Sequence, residues 1–170
     1  MEVTGYKLKE ALKLKTIELQ SVQSLFDESL YKFEDEDKLL PEEVVKRIVE
    51  LENQIALLQT AQSYYNLQVK VDVLGKEELL ENVIKLVGGA GRVSKMWRTA
   101  SKGRTRDRWD RSNIVTRRTD EVMAEPTVDK ITALEKAKEA EKFASALRSA
   151  IAVGNTNIVD IDWIDEKLFS

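Results

Sequence analysis

The most constraining feature of the chain is a row of apolar residues running from Val44 to Val69. Val44, Ile48, Leu51, Ile55, Leu58, Tyr65 and Val69 recur in alternating steps of four and three, with Gln62 at the one polar position. That spacing lies along one side of an α-helix and fits no strand, whose side chains alternate faces with a period of two. Pro41 is tolerated in a first helical turn, and Glu42 and Glu43 behind it favour the positive end of the helix dipole. A helix over 41–69 is therefore expected, about 43 Å long at 1.5 Å per residue. Val45, Leu57 and Ala61 thicken its apolar face toward that of a bundle helix.

A second seam precedes it. Leu8, Leu12, Leu19, Val22, Phe26 and Phe33 follow the same rule, with Lys15 and Ser29 at the missing positions and Ala11, Leu14 and Leu25 as a second row. This predicts a helix from Tyr6 to about Phe33, ending in the acidic run Glu34-Asp35-Glu36-Asp37, which reads as a solvated loop. Val69, Val71 and Val73 alternate with Lys70 and Asp72 as a short strand or extended link. After Gly75, Lys76 to Val87 reads as an amphipathic helix continuing toward Trp97, with Gly88-Gly89 as a break or a kink no less than as continuous helix. The last long helix is expected from Val128 to Val153. Thr127 is its N-cap, Ile131, Leu134, Ala137, Ala144, Leu147 and Ile151 are its apolar face, and Gly154 is a left-handed C′ residue.

Two prolines, seven glycines and a 6 % aromatic share leave little turn chemistry for a many-stranded sheet. The expected fold is all-α, an antiparallel bundle of three to four long helices with a long basic loop and an apolar C-terminal tail. Residues 1–153 form the bundle domain, with the basic loop 100–126 inserted, and 154–170 form an interface tail. No apolar run approaches the length of a membrane span, and the N-terminus lacks a secretory pattern, so the expectation is a cytoplasmic or virion protein with no membrane partner.

The order of parts resembles a family of small uncharacterised bacterial helical proteins labelled septicolysin-like. The matching segments are Lys7-Leu8-Lys9-Glu10-Ala11-Leu12, the second helix ending near Tyr64-Tyr65-Asn66, Leu79-Leu80, Asp107 to Ile114, Thr127-Val128-Asp129 and Trp163. The basic stretch and the apolar tail go beyond that family's pattern. The resemblance implies a helical-bundle fold and carries no activity, because none is established for the family.

Charge is the next constraint. Between Arg92 and Arg118 stand ten Lys or Arg residues against Asp107 and Asp110, inside a chain of net charge −3. Such a segment serves a polyanion or an acidic protein surface. The candidate contacts are Arg98, Lys102, Arg104, Arg106, Arg108, Arg111, Arg117 and Arg118, with Trp109 as an aromatic anchor among them. In the tail, Trp163, Ile164, Leu168 and Phe169 are candidate interface anchors. The absence of cysteine and histidine removes thiolate nucleophiles, imidazole bases and the usual zinc and haem ligands. Asp160, Asp162, Asp165 and Glu166 lack the glycine and spacing of a calcium loop, and Gly88 to Arg92 lacks the lysine and hydroxyl of a phosphate-binding loop. No catalytic residue, metal or cofactor is assigned. The expected role is a non-enzymatic structural protein that self-associates into a homo-oligomer or larger assembly through helical seams, basic loop and tail, for instance a phage head, neck or tail component. The alternative is a nucleic-acid-binding protein that uses the Arg92–Arg118 segment.

Overall fold

The computed structural model describes residues 1–31, 39–102 and 127–169. In chain order these are β1 (Glu2–Thr4), α1 (Gly5–Ser29), α2 (Pro41–Gln68), β2 (Lys70–Val73), β3 (Lys76–Leu79), α3 (Leu80–Lys102), α4 (Lys130–Gly154) and β4 (Ile158–Asp160), closed by a 3₁₀ turn at Glu166–Phe169. The chain is mostly helical, with two small antiparallel sheets, β1–β4 and β2–β3, that an all-α reading omits. It divides into two compact units, Met1–Asn82 with Ala150–Ser170, and Val83–Ser149.

The first unit is built on the α1–α2 hairpin. Thr4 caps α1, its hydroxyl accepting the Lys7 backbone N–H at 3.2 Å. At the start of α2 the Leu40 backbone N–H donates to the Glu43 carboxylate at 3.1 Å, satisfying one of the amides that a helix start leaves bare. The predicted α2 seam is the buried face. Val44, Leu51, Ile55, Leu58, Tyr65 and Val69 are all buried, and Leu19, Leu51 and Ile55 form a cluster flanked by Leu12, Val22 and Ile48. Lys15, the polar break in the α1 seam, is buried too and reaches Glu18 at 3.6 Å. Glu18 also bonds Arg47 of α2, and that partner holds the Glu18 carboxyl below its ordinary range.

The second apolar row behaves differently. Ala11 and Ala61 are buried, but Leu14, Leu25, Val45 and Leu57 are exposed, so the hairpin buries a narrow seam rather than a bundle-width face. The physical reason is geometric: two helices cover one stripe on each other, and a wider stripe needs a third neighbour.

Beyond α2 the valine alternation is strand β2, with Val71 and Val73 buried and Lys70 and Asp72 exposed. Its partner β3 takes up Lys76 to Leu79, where a helix start was expected, so α3 begins at Leu80. Val73 pairs with Lys76 across a two-residue turn in which Leu74 and Gly75 have φ of 56° and 86°. Positive φ at both central residues is the mirror-image turn that matches strand twist, and this turn overrides the helix propensity of Lys-Glu-Glu-Leu. The tail folds back within the same unit. Val3 pairs with Val159 in the β1–β4 ladder, and Ile161, Ile164 and Leu168 are buried.

Gly154 is the last residue of α4 and does not take the left-handed conformation. A Cβ there would lie 2.8 Å from Val71 Cγ1 and 2.9 Å from Leu80 Cδ1, so glycine is required for close packing instead.

In the second unit α3 runs without a break through Gly88-Gly89-Ala90-Gly91 to Lys102, past the position where helical periodicity fades in the sequence. The cap of α4 is Asp129 rather than Thr127. Asp129 Oδ1 accepts the backbone N–H groups of Ile131 and Thr132, each at 2.8 Å. The buried face of α4 here is Ala133, Ala137, Ala144 and Leu147, whereas Ile131 and Leu134 of the predicted face are exposed. Alanines let a neighbouring helix approach closely, which turns the bulkier residues outward. The expected basic loop from 103 onward lies outside the described residues.

Candidate interface

Of the basic candidates, the structure describes Arg98 and Lys102. Arg98 sits on α3 and donates to Glu141 Oε2 of α4 at 2.6 Å, an ion pair between half-exposed partners inside the second unit. Lys102 is the exposed last residue of α3. Arg104, Arg106, Arg108, Arg111, Arg117, Arg118 and Trp109 lie outside the described residues.

The four tail anchors separate. Ile164 and Leu168 are spent on the core of their own unit, and Phe169 is half-buried with the Lys7 ammonium 5.0 Å from its ring centroid. Trp163 alone of the four stays open, at 45 % exposure. Its indole meets the Tyr64 ring edge-on, centroids 6.3 Å apart and planes at 78°, a favoured aromatic arrangement that fixes its orientation. Tyr64 and Leu67, one turn apart on α2, are exposed as well. Asp162, Asp165 and Glu166 flank the indole in sequence, and all three are exposed.

Two further apolar surfaces are open, the first read from the sequence as part of the bundle face and the second not read from it at all. One is the uncovered second row of the hairpin, Leu14, Ile17 and Leu25 on α1 with Val45, Val49 and Leu57 on α2; Leu14 and Val49 are each 54 % exposed. The signal was present as apolar residues outside the heptad seam. The other is a groove of about 380 Å³ in the second unit, lined by Lys85, Leu86, Gly89, Ala90, Val93 and, from α4, Ala140 and Phe143. Leu86, Val93 and Phe143 are all exposed, so its walls are apolar and open to solvent.

Electrostatics divides along the units. Residues 83–149 hold 16 Lys and Arg against nine Asp and Glu, and the remainder 11 against 21. The second unit is thus formally +7 and the first −10. From Val83 to Lys102 five basic residues face no acidic one in the sequence. Among the described residues no group of His, Cys, Asp or Glu gathers as metal ligands, and no helix is long and apolar enough to cross a membrane.

No family model matches the chain, and no curated protein matches it. A solved structure does: the crystal structure of a functionally unknown conserved protein from Corynebacterium diphtheriae aligns at a TM-score of 0.64 and 15 % identity, covering 94 % of this chain and 100 % of that one. At that identity the likeness speaks for the fold. It extends over nearly the whole chain, so the overall fold is shared.

Proposed function

We propose that the chain is a non-enzymatic, self-assembling structural protein whose α1–α2 hairpin is completed into an antiparallel helical bundle by a second copy. The observation that supports this most is the uncovered second row on both helices of the hairpin. Six large apolar side chains on the two helices, all outside the seam that is already closed, are each at least two-fifths exposed. Scattered exposed leucines are ordinary, but a set of them on paired helices is the surface that a third and fourth helix cover. A virion building block such as a phage head, neck or tail component is one setting for such a subunit. The septicolysin-like resemblance belongs to the same proposal and adds no activity to it.

The test is light scattering behind size exclusion on wild type and on Leu14→Glu with Val49→Glu. Wild type is expected as a defined multimer and the double variant as a smaller species with the same helical circular dichroism, because both positions are exposed. A wild type that is monomeric at micromolar concentration refutes the reading.

The segment Val83 to Lys102, with five basic and no acidic residues in its sequence, favours a second reading, polyanion binding. It makes the same run informative: protein that carries nucleic acid at low salt and sheds it at high salt supports this reading instead.

A further inference from the structure

We infer that the groove between α3 and α4 receives the Trp163 patch of another copy of this chain. The inference deepens the self-assembly reading and rests on it, but uses a different surface from the α1–α2 second row.

Size and chemistry favour this occupant. The groove, about 380 Å³ with apolar walls, is large enough for an indole, and Trp163 is the exposed aromatic whose orientation is already fixed by Tyr64. Tryptophan held rigid beforehand loses little entropy on docking, which is why it dominates the energetics of many interfaces. Gly89 and Ala90 form part of the groove floor, so a bulky side chain can approach the α3 backbone. Glycine there is not required by the chain's own packing. A Cβ on Gly88 or Gly89 would meet the Arg92 guanidinium at 3.7 Å or 3.9 Å, an ordinary contact with a movable group.

Charge points the same way. Arg92 lies beside the groove, Lys85 lines it, and Lys95 is exposed one turn on; of the α4 carboxylates, Glu141 bonds Arg98 and Glu139 bonds Lys136. On the other side Asp162, Asp165 and Glu166 flank Trp163. An apolar groove with a basic rim and an apolar knob with an acidic rim are complementary, and the formal charges of +7 and −10 on the two units extend that match over a longer range. Each copy carries one groove and one knob. The contact can close reciprocally about a two-fold axis into a dimer, or repeat head to tail into a ring or a filament.

The experiment uses full-length protein in three forms: wild type, Trp163→Ala, which lacks the knob, and Val93→Glu, which obstructs the groove at an exposed position. Light scattering at matched concentrations is expected to show both variants stopping at the same smaller species, with self-association weakened about 30-fold, as loss of a central aromatic anchor gives. Mixing them restores a mass above either one alone, since each supplies the half the other lacks. Should either variant fold poorly by circular dichroism, the exposed reversals Arg92→Glu with Lys95→Glu and Asp162→Lys with Glu166→Lys replace them, each weakening assembly alone and recovering it when mixed. Wild-type mass in both single variants, or no gain on mixing, overturns the groove contact while leaving self-assembly through α1–α2 intact. A monomeric wild type overturns both.

Discussion

Single residues hold the first unit together where its elements meet. Tyr65 is fully buried, and its hydroxyl lies 2.7 Å from the Gly154 carbonyl oxygen and 2.8 Å from that of Asn157, sharing one proton between two acceptors. The Gly5 backbone N–H donates to the same oxygen, and burial pushes the phenol up from its ordinary pKa. One side chain thus fastens α2 to the start of α1 and to the end of α4. Tyr65→Phe keeps the ring and leaves the buried Gly154 carbonyl and Gly5 N–H without this hydroxyl, so unfolding by urea should show a loss of about 1–3 kcal/mol. The sign with pH follows from the raised pKa: the contribution is complete below the ordinary phenol range and is lost as pH rises through the folded value. The sequence marked Tyr65 as a seam residue and could not show the hydroxyl's partners, because Gly154 and Asn157 are some ninety positions away.

At the scale of elements, the β2–β3 hairpin carries a local conflict. Leu74 takes φ of 56°, a left-handed conformation that costs an L-residue with a Cβ about 1 kcal/mol, while Gly75 beside it at 86° pays nothing comparable. Asp72 Oδ1 steadies the turn by accepting the Gly75 N–H at 3.1 Å. Leu74 is exposed, so no core contact is lost when it changes. Leu74→Asn creates the Asn-Gly pair that this turn prefers, and should raise stability by about 1 kcal/mol, read as a later thermal midpoint. This hairpin also shows why some elements were legible and others were not. The α2 seam was readable because its four-three spacing names the buried face residue by residue, and burial follows it closely. Strand β3 was not, since Lys-Glu-Glu-Leu has helical propensity and its pairing depends on a turn with leucine where asparagine is usual. Strand β1 spans three residues and exists through β4, more than 150 positions later. The tail's apolar content was read as an interface, whereas Ile164 and Leu168 are buried in their own unit and Trp163 stays outside, a division decided by packing. The groove on α3 was invisible because it depends on α4 turning an alanine face inward.

The whole molecule carries its charge unevenly and has an unusual titration. Its 30 carboxylates and 27 cationic side chains are divided unequally between the two units, and there is no histidine and no cysteine to change charge near neutrality. A contact between the acidic unit of one copy and the basic unit of the next should therefore have the same strength from about pH 8 to pH 6, because no side chain in its ordinary range titrates there. Below that plateau the carboxylates gain protons first. The first unit loses its negative charge while lysine and arginine keep theirs, so copies turn cationic throughout and repel one another. Partnered carboxyls lag behind: Glu18 is held below its ordinary range by Arg47, and the α1–α2 hairpin should outlast the assembly as pH falls. Being half-exposed, that pair contributes roughly 0.5 kcal/mol, present above the ordinary carboxylate pKa and lost as pH falls through the lowered one. Light scattering at pH 8, 6 and 4 with parallel circular dichroism separates the two events. Mass should be constant between pH 8 and 6 and drop by pH 4 while helicity persists. A drop between pH 8 and 6 would show that some group other than these carboxylates governs association.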